Sequence, residues 1–478
     1  MVTAKECIPR VVVAGVSSGV GKTTVTIAIA RALRARGLRV ALFKCGPDYL
    51  DPTYHARAID ASSQNLDGWM MGKDAVRATF ASAARDADIA IIEGVMGLFD
   101  GATPTGEEGS TAEIAKWLEA PVVLVVDAGG MARSFAAVVA GFTAFDPAVR
   151  IVGAIANRVG SRGHLDLLRK AMRAPPVLGG LPRDIEHAVP ERHLGLHTAD
   201  EEVLPGALLD HWAEQAASWI GLDALLDLAR TAPPIDRGEA ASNAPPARES
   251  ARCRIGIAYD EAFHFYYEDN LRRLESNGAE LVRFSPIRDR ALPNVDGVYL
   301  GGGYPELNGA ALAANVTMRK SIADFAEAGG PVYAECGGLM YLTEAIVGTD
   351  GSRHAMVGLF PTEAKMCGKL QALGYVEVET QARTILGGRG ARFRGHQFRY
   401  SELSPALASP PVQTVYSLRR RRGDETSVEG YSIGNVIASY VHAHWASNPG
   451  VARELVESCV RFARADKPTS TARATEPR

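Results

Sequence analysis

Short apolar runs alternating with helical stretches set the pattern of the first half of the chain. RVVVAG (10–15) reads as a buried strand. In the residues that follow, 24–36, Val25, Ile29, Ala32 and Leu33 fall at i, i+4, i+7 and i+8, one face of a helix that Gly37 stops. RVALFK (39–44), DIAIIE (88–93), PVVLVVD (121–127) and IVGAIAN (151–157) are further strands. Strands bounded by helices need crossover connections, so the pattern predicts a parallel sheet covered on both faces. Residues 231–250 break it: rich in Pro, Ala and Ser and almost without bulky apolar side chains, they read as an interdomain linker. A second α/β unit begins at RIGIAY (254–259) and continues through ELVRF (280–284), GVYLGGG (297–303) and PVYAE (331–335), and the closing KPTSTARATEPR reads as a disordered tail. The expected organisation is an α/β domain over 1–230, a linker over 231–252, a second α/β domain over 253–465 and a tail over 466–478, with no internal repeat.

Composition narrows the classes of function. At 478 residues the chain is long for one core, and 46% hydrophobic with 22% charged residues is ordinary for a globular protein. A net charge of -3 argues against nucleic acid or an anionic membrane as the main partner. No uninterrupted apolar stretch approaches a membrane span, and MVTAKECIPR lacks the apolar core of a signal peptide. The six cysteines (Cys7, Cys45, Cys253, Cys336, Cys367 and Cys459) show no C-x-x-C spacing, so reduced thiols in a cytoplasm are the expectation.

Two stretches carry chemistry. In GVSSGVGKT (15–23), five residues separate Gly15 from Gly21, where a P-loop ordinarily has four. The context is nevertheless strand, glycine turn, Lys-Thr, helix, which aims backbone N–H groups at an anion. Gly19, Gly21, Lys22, Thr23 and Thr24 are therefore candidate ATP-binding residues, with Lys22 as a point charge on the β/γ-phosphates and Thr23 as a hydroxyl for Mg²⁺. Mg²⁺ also wants carboxylate oxygen. Glu93 ends the strand DIAIIE, where open parallel sheets place ligands, and Asp48, Asp51 and Asp100 lie in the loops KCGPDYLDP and GVMGLFDG. Thr23, Asp51 and Glu93 form the candidate metal set.

The second stretch is PVYAECGGLMYL (331–342): a strand, one cysteine, two glycines, then a helix-forming segment. That is the geometry of a nucleophile elbow, with Cys336 beside a helix N-terminus that supplies an oxyanion N–H and is expected to lower the thiol pKa. A base is required. SYVHAHW (439–445) offers His442 and His444 two apart, on one face of a strand; His442 is the candidate base and His444 a candidate orienting group. GGGYPE (301–306), after an apolar strand, is a candidate source of the second oxyanion N–H.

These stretches carry resemblances to known families. A signalling or partitioning ATPase of the deviant P-loop type has a second lysine at the position of Ser17. The longer glycine spacing, followed by a strand ending in Lys44, instead resembles dethiobiotin synthetase, whose group phosphorylates a carboxylate-type oxygen. That resemblance implies that Lys44 faces the transferring phosphoryl group, that Glu93 helps to hold Mg²⁺ and that Asn157 meets adenine. The Cys336 elbow resembles class I glutaminase domains with a Cys-His-Glu triad, whose acid lies two residues after the histidine; that slot here holds His444. Read together, FKCGPDYLDPTYH (43–55), NLDGWMMG (65–72), IIEGVMGLFDG (91–101), DAGGMARSFAAVVAGF (127–142), PERHLGL (190–196), GGGYPELN (301–308) and YAECGGLMYLTE (333–344) resemble the cobyrinic acid a,c-diamide synthase family over nearly the whole chain. Departures are Cys45 where the family often has valine, and HAHW where it often has HLHF.

What the family resemblance implies is a glutamine-dependent carbon–nitrogen ligase of cobalamin biosynthesis. Its two parts are a dethiobiotin-synthetase-like P-loop domain and a class I glutamine amidotransferase domain. ATP and Mg²⁺ convert the a and c acetate carboxylates of cobyrinic acid to acyl phosphates, and ammonia released from glutamine by Cys336 and His442 attacks them. Asp48, Tyr49, Leu50, Asp100 and Ser134 are implied on the corrinoid side, with a monomer or homodimer as assembly. Hydrogenobyrinic acid and nickel-sirohydrochlorin are alternative rings for the same chemistry. A P-loop switch ATPase with an inactive glutaminase-like domain is the alternative of another class, against which Ser17 and the Cys336–His442 set argue.

Overall fold

Seven strands of the first half pair side by side and all in parallel, in the order β3-β2-β4-β1-β5-β6-β7. They are β1 (Arg10–Gly15), β2 (Val40–Cys45), β3 (Gln64–Leu66), β4 (Ile89–Glu93), β5 (Val122–Asp127), β6 (Ile151–Val159) and β7 (Val177–Pro182). Every residue of β1 and β4 is buried, as strands covered on both faces require. β1 lies at the centre between β4 and β5, so its carboxyl end, where GVSSGVGKT begins, opens between two other strand ends. The helix α1 (Lys22–Ala35) follows directly, and α2 (Asp51–Ile59) follows β2. This computed structural model describes residues 7–184, 204–235, 251–407, 410–421 and 426–465. Most of the expected linker, the expected tail and His193 with its PERHLGL segment lie outside the described residues.

The chain divides into two compact units, Met1–Ala244 with Tyr267–Asp269, and Pro245–Tyr266 with Asn270–Arg478. Residues 231–235, expected to open the linker, belong to the first unit: Ile235 is fully buried, and the Pro233 carbonyl accepts a hydrogen bond of 2.7 Å from Arg10 Nη2. Arg10 is itself fully buried at the start of β1, where its guanidinium also donates to the Leu118 and Ile8 carbonyls at 2.6 and 3.0 Å.

The second unit is built on a ten-stranded mixed sheet. Its parallel part runs β9-β8-β10-β11-β20, with β8 (Cys253–Ala258), β9 (Ala279–Phe284), β10 (Gly297–Leu300), β11 (Val332–Glu335) and β20 (Val436–Ser439). The chain leaves β11 for a four-stranded sheet in the order β13-β12-β14-β17, formed by β12 (Thr343–Val347), β13 (Arg353–Ala355), β14 (Phe360–Met366) and β17 (Ser401–Ser404). Antiparallel β15 (Ala372–Thr380), β16 (Arg392–Arg399), β18 (Gln413–Arg420) and β19 (Thr426–Ile433) extend the main sheet, and β21 (His442–His444) closes it against β16. Arg419 and Arg420 end β18, where Arg419 pairs with Glu377 of β15. No helix among the described residues is long and apolar enough to cross a membrane.

Arg10→Met keeps the apolar stem but leaves three carbonyls without their donor. A loss of about 3 kcal/mol is expected, seen as a lower midpoint for the first transition in urea unfolding of the full chain; an unchanged midpoint would contradict the role.

Candidate active sites

The first site is assembled from the ends of β1, β2 and β4. Gly19 and Gly21 take φ of 76° and 87°, and Gly21 caps α1, so the loop turns through conformations that favour glycine. A Cβ on Gly21 would stand 2.1 Å from Asn157 Nδ2, and that amide donates to the Val20 carbonyl at 2.8 Å. Asn157 therefore braces the loop from β6. Arg158 adds a second brace, donating to the Gly19 carbonyl at 3.1 Å while paired with Asp127 at 2.6 Å.

Glu93 is the centre of the site and is fully buried. Its Oε1 accepts from Thr23 Oγ1 at 2.7 Å and from Lys44 Nζ at 2.8 Å, and its Oε2 meets His55 Nε2 at 2.6 Å. Lys44 also reaches Asp51 Oδ2 at 2.6 Å and the Gly94 carbonyl at 3.1 Å. Burial opposes the charge on Lys44, but Asp51, Glu93 and Asp48 outweigh it and hold the ammonium above its usual range. The carboxyl of Glu93 is likewise opposed by burial, yet Lys44 and the His55 contact keep it below its usual range. Removing one member of such a buried pair typically costs about 3–5 kcal/mol.

His55 is the residue that sequence reasoning missed here. It closes FKCGPDYLDPTYH and lies one helical turn after Asp51, on the same face of α2, which was the available signal. Ser63 Oγ donates to the Leu42 carbonyl, so it accepts from His55 Nδ1 at 3.0 Å. The 2.6 Å contact from Nε2 to Glu93 Oε2 ties the other side of the ring to the carboxylate.

Around this centre, Lys22 Nζ donates to the carbonyls of Ser17 and Met96 at 3.0 and 2.6 Å. Burial, reinforced by nearby Lys44, brings its pKa down to about 8. The loop after β4 leans on the P-loop: Leu98 N donates to the Gly15 carbonyl at 2.8 Å, and Asp100 Oδ2 accepts from Gly97 N at 2.9 Å. Asp48 Oδ1 accepts from the N–H groups of Leu50 and Asp51, which fixes the entry to α2. Leu50 is buried and Tyr49 half-buried, whereas Ser134 stands exposed in the first turn of the helix Arg133–Phe145 (α3). Thr24 is half-buried in the first turn of α1. Among the described residues no three His, Cys, Asp or Glu side chains form a metal cluster. The oxygens of Thr23, Glu93 and Asp51 fit Mg²⁺ all the same, because that ion is ordinarily held by one or two carboxylates together with phosphate and water.

The second site stands at the end of β11. Cys336 takes φ 47° and ψ −100°, a non-glycine residue in a strained turn costing about 1–3 kcal/mol, and its N–H is held by the Ser439 carbonyl at 2.7 Å. Gly337 and Gly338 open the six-residue helix α4 (Gly337–Leu342), and both positions exclude a side chain. A Cβ on Gly338 would meet the Leu300 carbonyl oxygen at 2.3 Å, and one on Gly337 would meet Pro305 Cδ at 2.9 Å and Gly303 N at 3.1 Å. The GGG turn is thereby brought to the elbow. The N–H groups of Gly301 and Gly302 are committed to Tyr266 Oη and the Phe265 carbonyl, so Gly303 N–H and Gly337 N–H are the candidates for an oxyanion.

His442 meets the same turn from β21: a Cβ on Gly302 would stand 2.4 Å from its Cε1. His442 pairs across the strands with His396, and the Phe398 carbonyl, two residues along β16, lies 3.9 Å from Cys336 Sγ. His396 is a second residue the sequence did not single out. Burial, with a smaller contribution from His396, pushes the pKa of His442 down to about 3, so the imidazole is neutral at rest. His444 is fully buried, and its Nδ1 accepts from Ala446 N at 3.3 Å, a local cap at the end of β21.

One expectation is corrected. Burial, and after it Glu306, outweighs the lowering by the Gly337 N–H at the helix N-terminus and pushes the Cys336 thiol up to about 12. The resting pair is neutral thiol and neutral imidazole.

Residues 11–196 match the CobQ/CobB/MinD/ParA nucleotide binding domain family, and residues 254–450 match the CobB/CobQ-like glutamine amidotransferase domain family. The chain is 51% identical over 454 residues to the cobyrinate a,c-diamide synthase of Leptospira interrogans (serovar copenhageni), covering 95% of this chain and 99% of that protein. It is 42% identical to the enzyme of the same name from Methanothermobacter thermautotrophicus, covering 95% and 100%, and 42% identical to that from Salmonella typhimurium, covering 92% and 95%.

Alkylation distinguishes the corrected thiol from an activated one. At pH 7.5 iodoacetamide is expected to modify exposed Cys7 and spare Cys336, whose modification, followed by peptide mass spectrometry, should climb with pH beyond 9. A plateau near neutrality would contradict the neutral resting thiol.

Proposed function

The chain belongs to the cobyrinate a,c-diamide synthase family, and from that premise we propose that it amidates the a and c acetate carboxylates of cobyrinic acid, a step of cobalamin biosynthesis, in the cytoplasm. The observation that carries the reading is the presence in one chain of two complementary sites: a P-loop whose Thr23 and Lys44 converge on a buried Glu93, and a cysteine elbow served by a neutral histidine.

In the amidotransferase domain, His442 takes the thiol proton as glutamine arrives and Cys336 Sγ attacks the side-chain amide carbon. The oxyanion is met by Gly337 and Gly303 N–H. His442 returns the proton to the departing nitrogen, so ammonia leaves and a thioester remains; water then cleaves it to glutamate and free thiol. In the nucleotide domain, a carboxylate is a poor acyl donor because its leaving group would be oxide. Its oxygen therefore attacks the γ-phosphorus of ATP, ADP departs, and an acyl phosphate forms. Ammonia attacks that carbon, phosphate leaves, and the amide is made.

Lys22 and Lys44 supply positive charge where negative charge moves from the β,γ-bridge to the transferring group. Asp51 and Glu93 hold Lys44 in place, and His55 holds Glu93. Thr23, Glu93 and Asp51 would hold Mg²⁺, which would supply neutralisation of the phosphate charge. Asn157, which braces the P-loop from β6, is assigned to adenine by the family resemblance, and Asp48, Tyr49, Leu50, Asp100 and Ser134 to the corrinoid. Ser17 in place of a second lysine, and the intact Cys336–His442 pair, disfavour a nucleotide switch with a silent second domain.

The test is mass spectrometry of products with ATP, Mg²⁺ and glutamine. Two carboxylates of cobyrinic acid should become amides, whereas hydrogenobyrinic acid and nickel-sirohydrochlorin serve as competing rings. Cys336→Ala should lose more than about 10³-fold of glutamine-driven amidation and retain the ammonium-driven reaction. An unchanged glutamine-driven rate would remove Cys336 from the reaction, and amidation of a competing ring alone would replace the substrate.

A further inference from the structure

A glutaminase of the Cys-His-Glu type orients its histidine with an acid two residues further on, and here that position is His444. Another device must therefore set the position of His442. The strand that carries it, β21, has three residues and lies at the edge of the ten-stranded sheet, paired on one side only, with β16. So short an edge strand is poorly fixed by its ladder alone.

Its other side is held by two buried side chains. Asn270 Nδ2 donates to the Ala443 carbonyl at 2.7 Å while its Oδ1 accepts from Trp445 N at 2.8 Å. The Ala443 N–H, immediately after His442, goes to Glu335 Oε1 at 3.0 Å. Glu335 is the last residue of β11, immediately before Cys336, and is 1% exposed. Its carboxylate also accepts from Tyr333 Oη at 2.6 Å and from Tyr299 Oη at 2.9 Å. Three donors thus converge on a carboxylate in an apolar interior, where an ionised group is retained only with such partners. One side chain is bonded, in effect, to both members of the catalytic pair: by the chain to the cysteine, by a hydrogen bond to the histidine strand.

We propose that Glu335 is the positioning residue of the glutaminase reaction, its carboxylate fastening the strand of His442 to the foot of the Cys336 elbow. It acts through the backbone and touches neither glutamine nor the reacting atoms. The inference rests on the glutaminase reading of Cys336 and His442 and adds to it the group that holds them in register. Burial raises the Glu335 carboxyl to about 7, against the opposing hydrogen bonds from Tyr333, Ala443 and Tyr299.

The test compares Glu335→Leu, which removes the acceptor, with Glu335→Gln, which keeps a carbonyl oxygen for the Ala443 N–H, in the full chain. Glutaminase kcat is expected to fall about 10- to 100-fold in the leucine variant with KM for glutamine within about threefold, while the glutamine variant stays within about fivefold of the parent. Ammonium-driven amidation should be the same in all three. Tyr333→Phe and Tyr299→Phe, which add no bulk, should each slow glutaminase kcat by about three- to tenfold and so report on the same carboxylate if the leucine variant folds poorly. A parental kcat in Glu335→Leu together with the tyrosine variants would overturn the proposal. So would an equal loss of the glutamine- and ammonium-driven reactions, or a glutamine variant as slow as the leucine one. If the parent chain hydrolyses glutamine no faster than Cys336→Ala, the glutaminase reading itself falls and takes this inference with it.

Discussion

A carboxylate buried at the carboxyl end of a parallel strand must be matched on its oxygens, because an unmatched charge in a protein interior costs several kcal/mol. That constraint shapes both halves of this protein. Glu93 ends β4 and is met by Thr23, Lys44 and His55; Glu335 ends β11 and is met by Tyr333, Tyr299 and the Ala443 N–H. In each case the partners come from separate elements, so satisfying one carboxylate draws the chemically active loops together. The first gathers a phosphate loop and a lysine by charge. The second gathers a thiol and an imidazole by hydrogen bonds from neutral donors.

The two halves use burial in opposite senses. Around Glu93, burial strengthens attraction among charges that remain ionised, as phosphoryl transfer requires of groups facing a polyanion. Around Cys336, burial favours the uncharged forms, lifting the thiol and depressing the imidazole. A neutral thiol is a poor nucleophile toward adventitious electrophiles. The helix after Cys336 is only six residues long, and its terminus does not offset that desolvation.

Much of this was legible in the chain. The apolar runs gave five strands of the parallel sheet and the parallel core of the second unit, because their side chains are buried on both faces and carry few polar interruptions. GVSSGVGKT and ECGGL were legible because glycine is forced there by positive φ or by backbone closer than a Cβ allows. β15, β16, β18 and β19 were not, since they carry charged and polar residues in alternation with apolar ones and owe their pairing to partners distant in sequence. His55 and Glu335 stood inside quoted motifs and were still missed. Their meaning depends on partners 38 and 108 residues away, and only the fold supplies those pairs. The direction of the thiol shift failed for a related reason: the local turn was visible, but the surrounding packing was not.

The central claim is that ATP is used to turn a carboxylate into an acyl phosphate for attack by ammonia. Oxygen tracing tests it most directly. Substrate labelled with ¹⁸O in its acetate carboxylates, turned over with ATP, Mg²⁺ and glutamine, should deliver one labelled oxygen to inorganic phosphate for every amide formed. Amide formation with unlabelled phosphate would contradict the account.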